Sequence, residues 1–144
     1  WAASMNVDDY TQPVEAVVAQ ERAAIYPVPL KARSYVELFT AWLQANPKAA
    51  REMECIALAI NARGLKVSTK YLIERQRYEG RSELVAVPYV DQYGTEHAYS
   101  INNTVTPLLA RWLLAQHPEM RIEKRKSMFD DLEKDIEECL EKTR

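Results

Sequence analysis

The chain has 144 residues, of which 47% are hydrophobic and 28% are charged, so it is long enough to bury one hydrophobic core. Its formal net charge of −2 excludes a general attraction to nucleic acids or acidic membranes, and any such affinity must come from a local patch. No apolar run approaches the ~20 residues of a membrane span, so we expect no membrane partner.

Cysteines, histidines and glycines, which often form metal sites, catalytic sites and phosphate-binding loops, are few and scattered in this sequence. Cys55 and Cys139 lack the spacing of metal ligands, and we interpret them as buried, reduced thiols of a cytoplasmic protein. The histidines, His97 and His117, form no metal-binding or catalytic motif, and three glycines provide no phosphate-binding loop. We therefore expect a non-enzymatic protein with no metal, no cofactor and no small-molecule substrate.

The first 30 residues are predicted to form an N-terminal arm with a short helix. Pro13 suits the first position of a helix, and a weak apolar stripe continues to Ile25. The segment 26–29, Tyr-Pro-Val-Pro, then forbids helix and favours extended chain.

The next helix has a strongly apolar face. Tyr35, Leu38, Phe39, Trp42 and Leu43 recur at the spacing of one helical side. Ser34 and Glu37, three residues apart, have the pattern of a capping box at the helix start. Asn46 and Pro47 end this helix and are expected to be the N-cap and the first residue of the following one.

Two helices joined by a short turn follow, and this order is typical of a helix-turn-helix motif. Gly64 stands where a left-handed residue ends the first helix, and Ser68 is expected to cap the second. Between them, Leu65 and Val67 are expected to point inward.

A β-hairpin comes directly after the second helix of the motif. The strands are predicted at 84–90 and 96–101, joined through 91–95 with Gly94 in the turn. A hairpin in this position predicts a winged helix-turn-helix-like domain.

The second helix of the motif has two different sides. Leu72, Ile73 and Gln76 group on one side, and across 61–81 six basic residues stand against two acidic ones, a local charge of +4. Basic groups interleaved with tyrosines suit contact with phosphates, sugars and bases, although a plain solvated face is the alternative. The residues predicted to bind DNA are Lys66, Lys70, Tyr71, Arg75, Arg77, Tyr78 and Arg81.

Another apolar helix, capped by either Asn103 or Thr106 and closed by His117 and Pro118, is expected after the hairpin. Glu74 of the preceding helix is expected either to lie exposed or to pair with Arg111 of this one. The predicted core is Leu38, Phe39, Trp42, Met53, Ile56, Ile60, Leu72, Ile73, Leu109, Trp112 and Leu113.

Residues 119–144 are predicted to form a C-terminal helical extension with two halves. The segment 121–126 carries four basic groups and one acid, and the chain turns acidic from Ser127 onward. An apolar seam in the acidic half needs a partner surface, which a second copy would supply as a homodimer. Docking on the same chain, against Val18 and Ile25, is the alternative. The residues predicted to dimerise are Phe129, Leu132, Ile136, Cys139 and Leu140.

Several short motifs between residues 39 and 129 resemble small uncharacterised phage and prophage proteins. The motifs are Phe39…Ala45-Asn46-Pro47, the segment 63–68 (RGLKVS), the segment 72–78 (LIERQRY), Ile101-Asn102-Asn103, Ala110-Arg111-Trp112 and Pro118…Arg125. The resemblance implies a compact unit with this order of helices and hairpin, of phage or prophage origin, and it implies no activity.

The sequence thus predicts a mainly α protein with one β-hairpin (α+β), in which a winged-helix-like domain at 31–118 lies between helical extensions. We expect it to bind double-stranded DNA as a small phage or prophage regulator or accessory factor, with the motif's second helix in the major groove and the hairpin tip at 92–95 on the backbone. The tip contains no Lys or Arg, which argues against a strong contact there. The alternative is a protein-protein interaction module that binds a host or phage protein through the acidic tail and the proline-bearing arm.

Overall fold

The computed structural model describes residues 30–143. Residues 1–29, which include the short helix predicted for the N-terminal arm, lie outside this range. The mainly helical α+β class is confirmed by five α-helices and one antiparallel hairpin within that range. The elements are α1 (Ala32–Ala45), α2 (Pro47–Ala62), α3 (Thr69–Glu79), β1 (Val87–Val90), β2 (Glu96–Tyr99), α4 (Thr106–Gln116) and α5 (Glu133–Glu141), with single 3-10 turns at Asn103–Val105 and Asp130–Leu132. No helix within 30–143 is long and apolar enough to cross a bilayer.

Helix α1 begins earlier than predicted. Its first residue is Ala32, after an extended Lys31, so Ser34 lies inside the first turn and the capping box with Glu37 is wrong. Asn46 occupies the N-cap position of α2 but makes no capping bond. Its amide nitrogen donates to the carbonyl of Trp42 (2.9 Å), and its side chain exchanges two hydrogen bonds with the backbone of Val85. The corner between α1 and α2 is thereby tied to the chain that enters the hairpin.

The turn between α2 and α3 follows the prediction at three of four positions. Gly64 has a φ of +76°, Ser68 Oγ accepts a hydrogen bond from the amide of Tyr71 (3.2 Å), and Val67 is buried. Leu65 is 49% exposed, so its inward orientation was wrong. The amide of Leu65 donates back to the carbonyl of Ile60 (3.3 Å), so Leu65 belongs to the turn that ends α2, whereas the amide of Val67 donates to the carbonyl of Arg121 (2.9 Å).

The hairpin is shorter than the predicted strands at 84–90 and 96–101. Its ladder runs from Val87 opposite Tyr99 to Val90 opposite Glu96. The backbone of Val85 bonds to the Asn46 side chain, so it does not join the ladder. Gly94 has a φ of +78°, as its place in the turn predicted.

The predicted core is largely confirmed, since all its members are buried except Leu38, Ile56 and Ile60, which are half-buried and pack on its edge. The interpretation of both cysteines as buried is wrong for Cys55, which is exposed on α2, and Cys139 is half-buried.

The C-terminal segment belongs to this same core. Phe129, Ile136 and Leu140 are at most 3% exposed, and Leu132 and Cys139 pack against them. Helix α5 lies against α1, and the described residues from Lys31 onward form one compact unit that includes the segment after 118.

Phe129, Ile136 and Leu140 are therefore buried within their own chain, which corrects their assignment to a dimer interface, whereas Leu132 and Cys139 are half-buried. Docking on the same chain was the right alternative, although the surface that receives the seam is α1 and its neighbours. The suggested hosts Val18 and Ile25 lie outside the described residues. Association of two chains through another surface stays a prediction.

Candidate nucleic-acid interface

The residues predicted to bind DNA lie on or beside the outer face of α3. Leu72, Ile73 and Gln76 are buried against the core, as their grouping on the helix predicted. The opposite face presents Tyr71 (49% exposed) and Tyr78 (77% exposed). Of the predicted basic residues, Lys66, Lys70, Arg77 and Arg81 are exposed and Arg75 is half-buried. The periodicity of the sequence thus identified the buried side of this helix correctly, whereas Glu74 and Arg75, expected on the exposed side, are half-buried.

Arg77 and Tyr78 form a combined cationic and aromatic surface. The guanidinium carbon of Arg77 lies 5.5 Å from the centre of the Tyr78 ring, which is the range of a cation–π contact. Since the Tyr78 ring is mostly exposed, it remains available to pack on a flat or apolar group of a ligand.

The C-terminal end of α3 is fixed by a carboxylate on α2. Glu52 accepts hydrogen bonds from Gln76 Nε2 (3.3 Å), the amide of Arg81 (3.2 Å) and the hydroxyl of Ser82 (3.2 Å). Burial alone would raise the pKa of Glu52, but these hydrogen bonds outweigh it and hold the pKa below its ordinary value. Glu52 is therefore ionised at neutral pH and anchors the turn that carries Arg81.

Glu74 and Arg111 do not pair with each other, and Glu74 is half-buried rather than exposed, so both expectations for Glu74 are corrected. Glu74 accepts a hydrogen bond from Asn103 Nδ2 (3.3 Å). The buried guanidinium of Arg111 lies 2.9 Å from Asp130 and 2.7 Å from Glu133. The hydrogen bond from Arg111 holds the pKa of Glu133 below its ordinary value.

The basic segment 121–126 lies beside the helix-turn-helix turn. The carbonyl of Arg121 accepts the amide of Val67, while the amide and guanidinium of Arg121 donate to Asn61 at the end of α2 (3.1 and 2.9 Å). This arrangement adds Lys124 and Arg125 to the basic surface, and both were missed as site residues. The run of basic residues in the sequence was visible, but its position depends on backbone bonds that the sequence pattern does not reveal.

The hairpin tip is not basic. Asp91 receives hydrogen bonds from the amides of Tyr93 and Thr95 and from the ring of His97 (2.7 Å). The His97 contact, followed by the Thr95 amide, holds the pKa of Asp91 below its ordinary value. Tyr93 and Val90 are 74% and 62% exposed, whereas the side chain of Asp91 is only 7% exposed, so this end of the hairpin offers apolar groups rather than cations.

Within residues 30–143, no group of three or more His, Cys, Asp or Glu side chains is arranged to hold a metal ion. The chain matches no protein-family model, no curated protein and no solved structure. The phage or prophage origin that the short motifs imply stays a prediction.

Proposed function

We propose that this protein binds double-stranded DNA without catalysing a reaction on it, and that α3 is the helix that enters the major groove. The observation that carries the proposal is the outer face of α3, where exposed cations surround two exposed tyrosines in a chain of net charge −2. The order of α2, turn, α3 and hairpin supports a winged helix-turn-helix arrangement, in which the second helix of the motif reads the groove.

The residue types suit this role for a physical reason. Lysine and arginine side chains that neutralise phosphates release condensed counterions, which supplies most of the affinity for any DNA sequence. Arginine can also bond to guanine edges in the major groove. The fixed C-terminal end of α3 keeps these groups in place, because Glu52 ties it to α2.

The proposed biological role is that of a small phage or prophage regulator or accessory factor in the cytoplasm. This part of the proposal is supported by the short sequence motifs between residues 39 and 129, which resemble phage and prophage proteins.

Replacing Lys70 and Arg75 together by alanine tests the proposal. We expect weaker binding to random duplex DNA, and a salt dependence that is smaller by about one unit of slope for each phosphate that the variant no longer neutralises. The matched control is Lys31→Ala with Lys142→Ala, which removes the same charge from exposed positions before α1 and after α5. Equal effects of the two pairs would contradict a specific role for α3.

A second candidate function is a protein-interaction module, and the hairpin favours it. Val90 and Tyr93 are exposed apolar groups next to the exposed Glu96, a combination that suits a protein surface better than a phosphate backbone. The arm expected to act in this role lies outside the described residues, and the apolar seam of the acidic tail is buried. If the parent chain fails to bind duplex DNA, the hairpin becomes the stronger candidate site.

A further inference from the structure

A groove opens where the start of α3, the start of α4 and the segment 122–125 meet. Its volume is about 510 Å³, and its lining includes residues 66–70 at the start of α3 and residues 122–125 of the basic segment. The charged residues that line it are Lys66, Lys70, Arg111, Lys124, Arg125 and Glu123. Five cations thus surround a single carboxylate among the described residues of the lining.

The charges of the groove are only partly compensated. Glu123 lies 2.9 Å from Lys66 and 3.5 Å from Arg125, and the hydrogen bond from Lys66 holds its pKa below the ordinary value. Arg111 is neutralised by Asp130 and Glu133, and Lys124 reaches Glu133 only at 3.8 Å. Lys70 has no ion-pair partner within residues 30–143, so the groove retains a net positive charge.

The position of the cations is built into the fold. The hydrogen bonds of Arg121 to Val67 and Asn61 hold the segment 121–126 against the helix-turn-helix turn, and Ile122 packs on the core. Lys124 and Arg125 thus line the same groove as Lys66 and Lys70, from a segment anchored at one end. A preformed site binds its ligand with less loss of conformational freedom than a site that must first order.

We infer that this groove is a phosphate-binding site, and that it takes a backbone phosphate of the DNA whose major groove receives α3. The claim that the phosphate belongs to DNA rests on the proposed function, whereas the claim that the groove binds a phosphate rests on the charges of its lining. Because Lys70 belongs both to the groove and to α3, a strand that crosses the groove continues directly onto the outer face of that helix. The footprint on DNA then includes the segment 121–126 in addition to the helix-turn-helix motif.

Replacing Lys124 and Arg125 by alanine tests the inference in two titrations. Both side chains are largely exposed and make only surface ion pairs, so we expect the variant to fold. In the first titration, inorganic pyrophosphate is added to ¹⁵N-labelled protein, and we expect saturable amide shifts at Lys70, Glu123 and Lys124 of the parent chain. In the variant, the amides of Lys70 and Glu123 should no longer shift. In the second, duplex DNA should bind the variant several-fold more weakly, with a salt slope smaller by roughly one to two units.

The control pair Lys31→Ala with Lys142→Ala should retain both responses. Parent-like affinity and salt slope for duplex DNA in the groove variant would overturn the inference and leave the proposed function of α3 standing. Pyrophosphate shifts in a parent chain that binds no duplex would overturn the proposed function, and with it the assignment of the phosphate to DNA. An absence of pyrophosphate shifts in the groove would overturn the phosphate site itself.

Discussion

At the scale of single residues, Arg111 determines how the C-terminal segment meets the domain. Its buried guanidinium donates to the carbonyl of Pro107 and to the carboxylates of Asp130 and Glu133. The planar guanidinium presents its donors on three nitrogens, and each nitrogen bonds to a different one of these acceptors. The sequence offered Glu74 as an alternative partner, and helical spacing alone could not decide between them, because the choice depends on where the segment 127–133 folds back.

Glu133→Gln should flatten the acid limb of the stability profile. The pKa of Glu133 is held below its ordinary value of 4.5 in the folded state, chiefly by the hydrogen bond from Arg111, so folding favours the ionised form. This contribution is fully present above pH 4.5 and is lost as the pH falls through the lower, folded pKa. We expect the unfolding free energy of the variant to depend less on pH in that window, as measured by urea denaturation.

Glu137→Gln is the matched control for this prediction. Glu137 lies on the same helix, is exposed, and forms no ion pair within residues 30–143. Its variant should keep the parent's pH dependence, and identical profiles for all three proteins would show that Arg111 does not stabilise the Glu133 carboxylate.

At the scale of elements, the sequence predicted features that depend on neighbouring residues, and it did not predict those that depend on contacts between distant segments. Gly64 and Ser68 mark helix ends through their own backbone and side-chain chemistry, and both behave as expected. The buried side of α3 follows from its periodicity. The capping box at Ser34 failed because a helix can start earlier whenever the preceding residues tolerate it. The strand excludes Val85 because Asn46, remote in sequence, bonds to its backbone.

The fate of the α5 seam is the clearest case in which sequence left two answers open. An apolar stripe on a short helix must be covered, and the pattern of the stripe does not say by what. Here Phe129, Ile136 and Leu140 enter the core of their own chain, and α5 is locked further by Trp112 Nε1, which donates to Thr143 Oγ1 (2.9 Å).

Ile136→Ala should therefore destabilise the folded chain by about 2–5 kcal/mol, because it leaves a cavity beneath α5. Chemical denaturation measures the change, and Glu138→Ala, at an exposed position of the same helix, should change stability by less than about 0.5 kcal/mol. The unfolding midpoint should be independent of protein concentration. A midpoint that rises with concentration would instead show that folding is coupled to the association of two chains.

At the scale of the whole molecule, the charges within residues 31–143 are separated by region. Cations gather on α3 and on the segment 121–126, whereas α5 is acidic and meets that segment only at its first residue, Glu133, which lies 3.8 Å from Lys124. A polyanion is then attracted to one surface and repelled by others, even though the net charge of the chain is −2. Composition alone hid this separation, because segments 61–81 and 121–126 come together only in the fold.

The affinity of the parent chain for a random DNA duplex, measured from low to high salt, tests the DNA-binding role of this surface most directly. If α3 and the groove bind about four or five phosphates, the logarithm of the association constant should fall against the logarithm of salt concentration with a slope of about −4. The absence of measurable binding at about 50 mM salt, or a slope near zero, would contradict the proposed function.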